Sequence, residues 1–325
     1  MKAFVYTQYG PPEVLHLKDV EKPVPGDKDI LVKIIATTVN RTDGGFRSAE
    51  YFIIRFFHGL FKPKFQILGN ELAGIVEEVG KNVTSFKIGD RVFGLSPYRF
   101  GAHAEYVCVS EKSSIVHMHP GMRFSEAVAI CDGAYLALAN LKTIDFSSSP
   151  KLLINGASGS IGSAAVQMAK YLGAHVTAVC ATENMELIKS LGADRVIDYT
   201  KSDFTQCGEQ FDVVFDAVGK SSFFKCLKIL KKKGVYFSTE LGYMSQNPFL
   251  ALFTPLFGGR RVKFPIPKDR KEDISFFSQL MSEGRYRAVI DRVYPFEEIV
   301  EASRYVDTGM KTGNVVIKVV DHPDF

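Results

Sequence analysis

The chain has 325 residues, is 46% hydrophobic and 23% charged, and carries a net charge of +4 at pH 7. Its mean hydropathy is +0.02, so it reads as an ordinary globular chain long enough for about two domains. The charge is small and no like-charged block exceeds Lys231-Lys232-Lys233, which argues against a nucleic-acid partner. The five cysteines (108, 131, 180, 207 and 226) are odd in number and form no CxxC pair, the pattern of reduced thiols in a cytoplasmic protein. The N-terminus soon meets Pro11-Pro12 and lacks the apolar core of a signal peptide. The most apolar run, 46–65, is broken by Arg47, Glu50, Arg55, His58 and Lys62, so no membrane span is expected.

In chain order, residues 1–40 read as β-structure. Ala3–Tyr6 and Val14–Leu17 flank a Gly-Pro-Pro turn, and the strand Ile30–Ala36 follows Pro23-Val-Pro-Gly-Asp. A break is expected over Asn40–Gly45. Leu68–Val83, Gly89–Val92 and Ala104–Val109 continue the strand pattern, and His117 and His119 are placed on a loop. Many short strands before any convincing helix predict an all-β first unit. From Ser125 the rhythm changes. A helix is expected over Ser125–Leu141, then strands at Lys151–Asn155, His175–Cys180, Arg195–Asp198, Phe211–Asp216, Val235–Thr239 and Arg261–Phe264. Amphipathic helices such as Glu183–Leu191 and Ser221–Leu230 lie between them. This alternation predicts a doubly wound parallel sheet, which binds ligands at the carboxyl ends of its strands. The tail adds helices at Glu272–Met281 and Glu297–Asp307 and a last strand, Gly313–Val319.

One stretch organises the second half. The apolar strand Leu152-Leu-Ile-Asn155 runs into glycines at 156, 159 and 162 and then a helix with one apolar face. Glycines allow a tight turn and close approach to a pyrophosphate, and the helix N-terminus offers unpaired N–H groups to that anion. An unliganded strand–helix turn is the competing reading. A second strand follows at His175–Cys180, the context that a dinucleotide site needs. Gly156, Ser158, Gly159, Ser160, Ile161 and Gly162 are the expected pyrophosphate contacts. The loops after Cys180, Asp216 (Ala217, Val218, Gly219) and Thr239 are expected to line the same cofactor, with Thr239 itself among the contacts.

These residues match a family. The chain resembles the medium-chain dehydrogenase/reductase superfamily, nearest its zinc-independent quinone oxidoreductase branch. The match rests on Gly69-Asn70-Glu71-x2-Gly74-x5-Gly80-x2-Val83, on Gly89-Asp90-Arg91-Val92 and on Asn155–Gly162 with Ala165–Lys170. It extends through Leu191-Gly-Ala-Asp194, Phe211–Gly219 and the terminal Gly-Asn-Val-Val-Ile-Lys. The resemblance implies an α/β protein: a Rossmann doubly wound parallel sheet plus a mainly β GroES-like catalytic domain. The catalytic and substrate domain is expected over 1–123 with 266–325, and the dinucleotide-binding domain over 124–265. A homodimer is implied by resemblance to dimeric relatives.

The departures from the zinc alcohol dehydrogenases of the superfamily point to the chemistry. Those enzymes carry ligand Cys and His where this chain has Asn40 and Asn70, and a third ligand, Cys, near Asp132, with Cys131 one place away. Zinc prefers thiolate and imidazole. The structural zinc lobe is also missing, since only residues 93–100 separate the two relevant strands. The expectation is a zinc-free enzyme. Without a metal to polarise an alcohol, the accessible reaction is hydride transfer to an already electrophilic acceptor. The resemblance implies an NAD(P)H-dependent oxidoreductase acting on a small apolar quinone or α,β-unsaturated carbonyl. Asn40 is the leading polar group for the acceptor or nicotinamide ribose, followed by Asp43 and Asn70. For each, turn capping is the alternative role. Relatives place a tyrosine shortly after the asparagine; here Gly44-Gly45-Phe46 stand there.

The carboxylate that holds the ribose 2′-hydroxyl in NAD-specific sheets would fall at Ala181. Its absence favours NADP, with NAD as the alternative. Thr182 fits an NADP site, Glu183 does not, and Tyr199 matches a tyrosine that relatives set at the adenosine end, or is a surface residue. Two apolar segments, Phe46–Phe65 and Pro248–Phe257, are inserted where they would flank a cleft. They are expected to form a hydrophobic mouth, with core or dimer contact as the alternative. An alcohol dehydrogenase or carbonyl reductase on the same scaffold, and a nucleotide-binding sensor or structural protein of low turnover, are the competing functions.

Overall fold

The computed structural model describes residues 1–96, 100–268 and 270–325. The argument about the short 93–100 segment therefore falls in part, at 97–99, outside the described residues, as does residue 269 of the expected first domain. The chain forms two compact units, Met1–Asp132 with Asp269–Phe325, and Gly133–Lys268.

The first unit opens with β1 (Lys2–Val5), paired antiparallel with β2 (His16–Asp19) across the proline turn. Then come β3 (Asp29–Val39), α1 (Arg41–Ser48), α2 (Phe52–His58), β4 (Glu71–Val79), β5 (Arg91–Leu95), β6 (Tyr106–Ser110), β7 (Ile115–His117) and α3 (Phe124–Val128). β3 is the spine. Its Ile-Leu-Val-Lys-Ile-Ile-Ala run is almost wholly buried, and it pairs antiparallel with both β4 and β6. The core beneath it gathers Phe4, Tyr6, Ile30, Val32, Ile34, Leu72 and Val92. The break expected over Asn40–Gly45 is instead the start of α1. Asn40 caps it in a reciprocal capping box with Asp43, so the polar residues that signal a turn here start a helix. His117 lies on β7 rather than on a loop, with Nε2 2.9 Å from Asp90 Oδ2.

The second unit holds α4 (Asp132–Leu141), β8 (Lys151–Asn155), α5 (Ser160–Tyr171), β9 (His175–Cys180), α6 (Met185–Ser190), β10 (Arg195–Asp198), β11 (Phe211–Asp216), α7 (Phe223–Cys226), β12 (Leu230–Ser238), α8 (Gln246–Phe253) and β13 (Arg261–Lys263). Its six-stranded sheet runs β10-β9-β8-β11-β12-β13 and is parallel at every pairing. From β8 the chain winds outward through β9 to β10, then returns to the other side with β11. The strand order therefore reverses between β8 and β11, where parallel sheets bind ligands. The helix expected over 125–141 is two helices. The Asp132 amide donates to Glu71 Oε1 at 2.7 Å, a partner outside any helix, and the two segments part there. The helix expected over 221–230 shortens to α7 and one 3-10 turn, because Leu230 already pairs with Phe211 in the sheet.

The return segment adds α9 (Lys271–Ser282), β14 (Ile290–Pro295), α10 (Ile299–Asp307) and β15 (Asn314–Lys318). β15 pairs antiparallel with β3, placing Val315 opposite Val39 and Ile317 opposite Thr37. β14, which sequence periodicity missed, pairs parallel with β15. Its charged Asp291 and Arg292, with Arg292 and Val293 both exposed, blur the alternation that marks a strand.

Arg47 ties three distant segments together. It is buried on α1, its Nε donates to the Gly10 carbonyl at 3.3 Å, and a terminal nitrogen meets Asp307 of α10 at 2.5 Å. Arg47→Ala leaves that carbonyl and the carboxylate without their donor. The expected loss is about 1–3 kcal/mol, since Asp307 keeps some solvent, read as a lower urea midpoint.

Candidate active site

The glycine turn sits at the end of β8, beside the end of β11. Gly156 has a φ of +75°, a conformation that side chains resist, and Gly162 packs so closely that a Cβ there would lie 2.1 Å from the Gly156 carbonyl. Gly159 is the N-cap of α5 and no side chain caps that helix. The backbone is thus shaped as an open cradle at a helix N-terminus, and the residues present fit a dinucleotide pyrophosphate. Ser158, Ser160 and Ile161 are half-buried on this turn.

Asp216, fully buried at the end of β11, fixes the neighbouring loop. It accepts from Asn155 Nδ2 at 3.0 Å, Tyr236 Oη at 3.2 Å, and the amides of Ser221 at 2.7 Å and Val218 at 3.4 Å. Ala217 donates to the Asn155 carbonyl at 3.0 Å and Thr239 to the Asp216 carbonyl at 3.2 Å. Ala217, Val218, Gly219 and Thr239 are in this way gathered beside the glycine turn. Sequence reading missed Asp216 as the residue that does the gathering. A carboxylate ending a strand, three residues before a glycine, was the available signal.

Thr182 and Tyr199 lie at the ends of β9 and β10. The Thr182 hydroxyl donates to Asp198, which also accepts from the amide and hydroxyl of Thr200 at 2.9 and 2.7 Å. These hydroxyl bonds hold the Asp198 carboxyl down to about 2. Its charge faces Lys201 at 3.4 Å. Tyr199 is exposed.

The first unit carries a second polar constellation, and it unites Asn40, Asp43 and Asn70. Asn40 Nδ2 donates to Asn70 Oδ1 at 2.8 Å and to Glu71 Oε2 at 2.9 Å, while its Oδ1 accepts from the Asp43 amide at 3.1 Å. Both amide hydrogens of Asn40 are thereby committed. Asn70 Nδ2 donates to Asp132 Oδ1 at 3.2 Å; its second hydrogen has no partner among the described residues. Asp43 receives the Asn40 and Gly69 amides, each at 3.0 Å, and lies 3.9 Å from His103 Nε2.

Three members of this cluster escaped sequence reading as functional residues. Glu71 is buried, with Oε2 also accepting from the Thr38 hydroxyl. Burial, then the nearby Asp132, raises its carboxyl well above the ordinary range. Asp132 is half-buried and is raised in the same direction, as is Asp43 by its own burial. Lys311, half-buried, is the cation of the set. Its Nζ donates to the Gly313 carbonyl at 2.5 Å. Burial pushes it down to about 8, against the pull of Glu71, Asp132 and Asp291. The raised carboxyls of Glu71 and Asp132 and the lowered Lys311 act on one another electrostatically within this set.

Residues 26–120 match the family model for the alcohol dehydrogenase GroES-like domain, and residues 191–317 match that for zinc-binding dehydrogenases. A 2-methylene-furan-3-one reductase of Solanum lycopersicum is 33% identical over 98% of this chain and 79% of its own length. An NADPH-dependent alkenal/one oxidoreductase of Arabidopsis thaliana, named as chloroplastic, is 29% identical with the same coverage. Among solved structures, the quinone oxidoreductase from Coxiella burnetii superposes with a TM-score of 0.89 at 28% identity, over 98% of this chain and 99% of that one. The chain belongs to the medium-chain dehydrogenase/reductase superfamily. It falls in the quinone-oxidoreductase-like group, and the fold is the expected one: a GroES-like β unit with a Rossmann parallel sheet. It is an oxidoreductase of the nicotinamide-dependent type.

Within this superfamily the zinc question turns on donor chemistry. Asn40 and Asn70 spend their groups on each other, on Glu71 and on Asp132. Cys131 is buried with its thiol pushed well up and directed at the Ala127 carbonyl at 3.4 Å. No group of three or more His, Cys, Asp or Glu side chains that could hold a metal ion occurs among the described residues. The residues at these positions do not fit a catalytic zinc.

Two measurements check this geometry. Gly162→Ala forces a Cβ against the turn carbonyl. It is expected to cost about 1–3 kcal/mol and to weaken dinucleotide binding, read by thermal unfolding and by titration of nucleotide fluorescence. The raised carboxyls of Glu71 and Asp132 make the folded chain bind more protons than the unfolded one above the ordinary carboxylate range. Stability is therefore greatest below that range and falls as pH rises through the folded values. The depressed Lys311 acts in the opposite sense, but only above about 8. The urea midpoint is expected to decline between about pH 5 and about pH 7.5, and Glu71→Gln should flatten that decline.

Proposed function

We propose that this oxidoreductase reduces the double bond of an enone, or a quinone, with NADPH in preference to NADH and without zinc. The observation that carries the reading is the hydrogen-bonded set Asn40–Asn70–Glu71–Asp132, which offers an amide hydrogen and a stored proton but no soft metal donor. The names of the tomato, Arabidopsis and Coxiella proteins support the acceptor class. Residues 1–123 with 266–325 take the acceptor and 124–265 hold the dinucleotide through Gly156, Ser158–Gly162, Thr182, Tyr199, Ala217–Gly219 and Thr239. The free state of all five cysteines is in keeping with a reducing, cytoplasmic setting, and the working form is a homodimer.

When bound, the reduced nicotinamide supplies the hydride. Addition of hydride to the β-carbon moves the double-bond electrons onto the acceptor oxygen, which then needs a hydrogen bond and the adjacent carbon a proton. The uncommitted hydrogen of Asn70 meets that oxygen. Asn40 and Asp43 hold Asn70 and the loop in place through the α1 capping box. Asp132, half-buried beside fully buried Glu71 and with its carboxyl raised, passes a proton to the substrate and regains one from water. The absence of a carboxylate at Ala181 supports NADPH, and the charge of Asp198 is already occupied by Thr182, Thr200 and Lys201.

The deciding experiment is NADPH oxidation across quinones, enones and aldehydes, before and after chelation. Enones or quinones should turn over fastest and chelator should change nothing; a preference for aldehydes with zinc-restored activity overturns the reading. Asn70→Ala should lower kcat about 100-fold, as loss of one oxyanion donor does, with the dinucleotide affinity unchanged. Thr182→Asp puts a charge where the 2′-phosphate would lie. KM for NADPH should rise about tenfold and that for NADH should fall.

A further inference from the structure

Helix α2 has its polarity reversed. Of Phe52-Ile-Ile-Arg-Phe-Phe-His58, the buried residue is His58. Phe52, Ile53, Phe56 and Phe57, with Leu60 and Phe61 just beyond, are 46–87% exposed. This is not a frayed end. His58 Nε2 lies 2.6 Å from Tyr6 Oη, and its ring packs against Phe46, Phe65 and Phe100. Tyr9 Oη donates to the Gly59 carbonyl at 2.6 Å, and the Arg55 guanidinium lies 4.5 Å over the Tyr9 ring. The histidine anchors the helix from below while its aromatic side faces out.

Contiguous apolar surface of this kind marks an interface, and the charge around it narrows the occupant. Residues 51–70 contain Arg55, Lys62 and Lys64 and no aspartate or glutamate. The adjoining Glu50 is paired with Arg41 at 2.9 Å. A second copy related by a two-fold axis would set this cationic patch against itself with no acid to match it. An anionic surface that also accepts aromatic rings fits both features. We propose that α2 and the turn after it dock the protein on an anionic lipid bilayer. Phe52, Phe56, Phe57 and Phe61 enter the headgroup layer, and Arg55, Lys62 and Lys64 meet lipid phosphates. No helix among the described residues is long and apolar enough to cross a membrane, so this contact is peripheral.

The test is sedimentation of the full chain with phosphatidylcholine vesicles, with and without about 30 mol % phosphatidylglycerol. The protein should bind the anionic vesicles, bind the neutral ones at least about tenfold more weakly, and release as salt is raised from about 0.1 M to about 0.5 M. The double variant Phe56→Glu/Phe57→Glu should lose at least about tenfold in vesicle affinity, and Phe56→Leu/Phe57→Leu should keep most of it. Phe56 and Phe57 are both exposed, so the thermal unfolding midpoint should not move in either variant. Binding by the glutamate variant equal to that of the parent overturns the proposal, as does no binding at low salt. It is also overturned if sedimentation velocity shows a dimer that the glutamate pair splits while vesicle binding is unchanged, which would make a second copy the occupant. None of these readouts depends on catalysis, so the result stands apart from the acceptor screen.

Discussion

The polar architecture of the first unit depends on one buried carboxyl, that of Glu71. A carboxyl taken out of water must either hold its proton or collect donors, and Glu71 does both. It takes the Thr38 hydroxyl, the Asn40 amide and the Asp132 backbone N–H. Each of those partners is then committed elsewhere. Asn40 caps α1, Thr38 belongs to the central strand β3, and Asp132 opens α4. One acid therefore sets where a helix begins, where two helices part, and which amide hydrogen is left for a ligand.

This also explains why amides at two zinc-ligand positions amount to more than the loss of a metal. Asn40 and Asn70 are not idle replacements; they bond each other and bridge Glu71 to Asp132. On the proposed zinc-free reading, the cluster offers a proton and the cation of Lys311 where a metal would set a fixed dipositive charge. Chemistry that needs strong polarisation of a weak electrophile is poorly served by such a set. An acceptor that is already electrophilic needs only a hydrogen bond and a proton, and both are available there.

Much of this was legible in the sequence, but unevenly. The glycine turn could be read because few backbones require glycine, and the structure shows that 156 and 162 do. The same was true of Asn40, Asp43 and Asn70, whose convergence in space follows from their places at the ends of β3, α1 and the approach to β4. What stayed hidden depends on tertiary contact. Glu71, Asp132 and Lys311 are common charged residues in ordinary local patterns, and only burial makes them unusual. The strand β14 hid behind charged residues. The 3-10 and helical turns after Ser222 were shortened by the pull of β12, which outweighs local propensity. The apolar run over 46–65 was visible, but the helix that turns it outward rests on the packing of His58, which no periodicity reveals.

The saturation of Asp216 has one further consequence. The loop after β11 is one of those proposed to line the cofactor. Here two of its amides, those of Val218 and Ser221, are already bonded to a carboxylate shut away from solvent. The backbone entropy of that loop is spent during folding, not during binding. On the proposed assignment of this loop to the cofactor, a dinucleotide meets a surface that is already ordered, and little of its binding free energy is lost to arranging the protein around it.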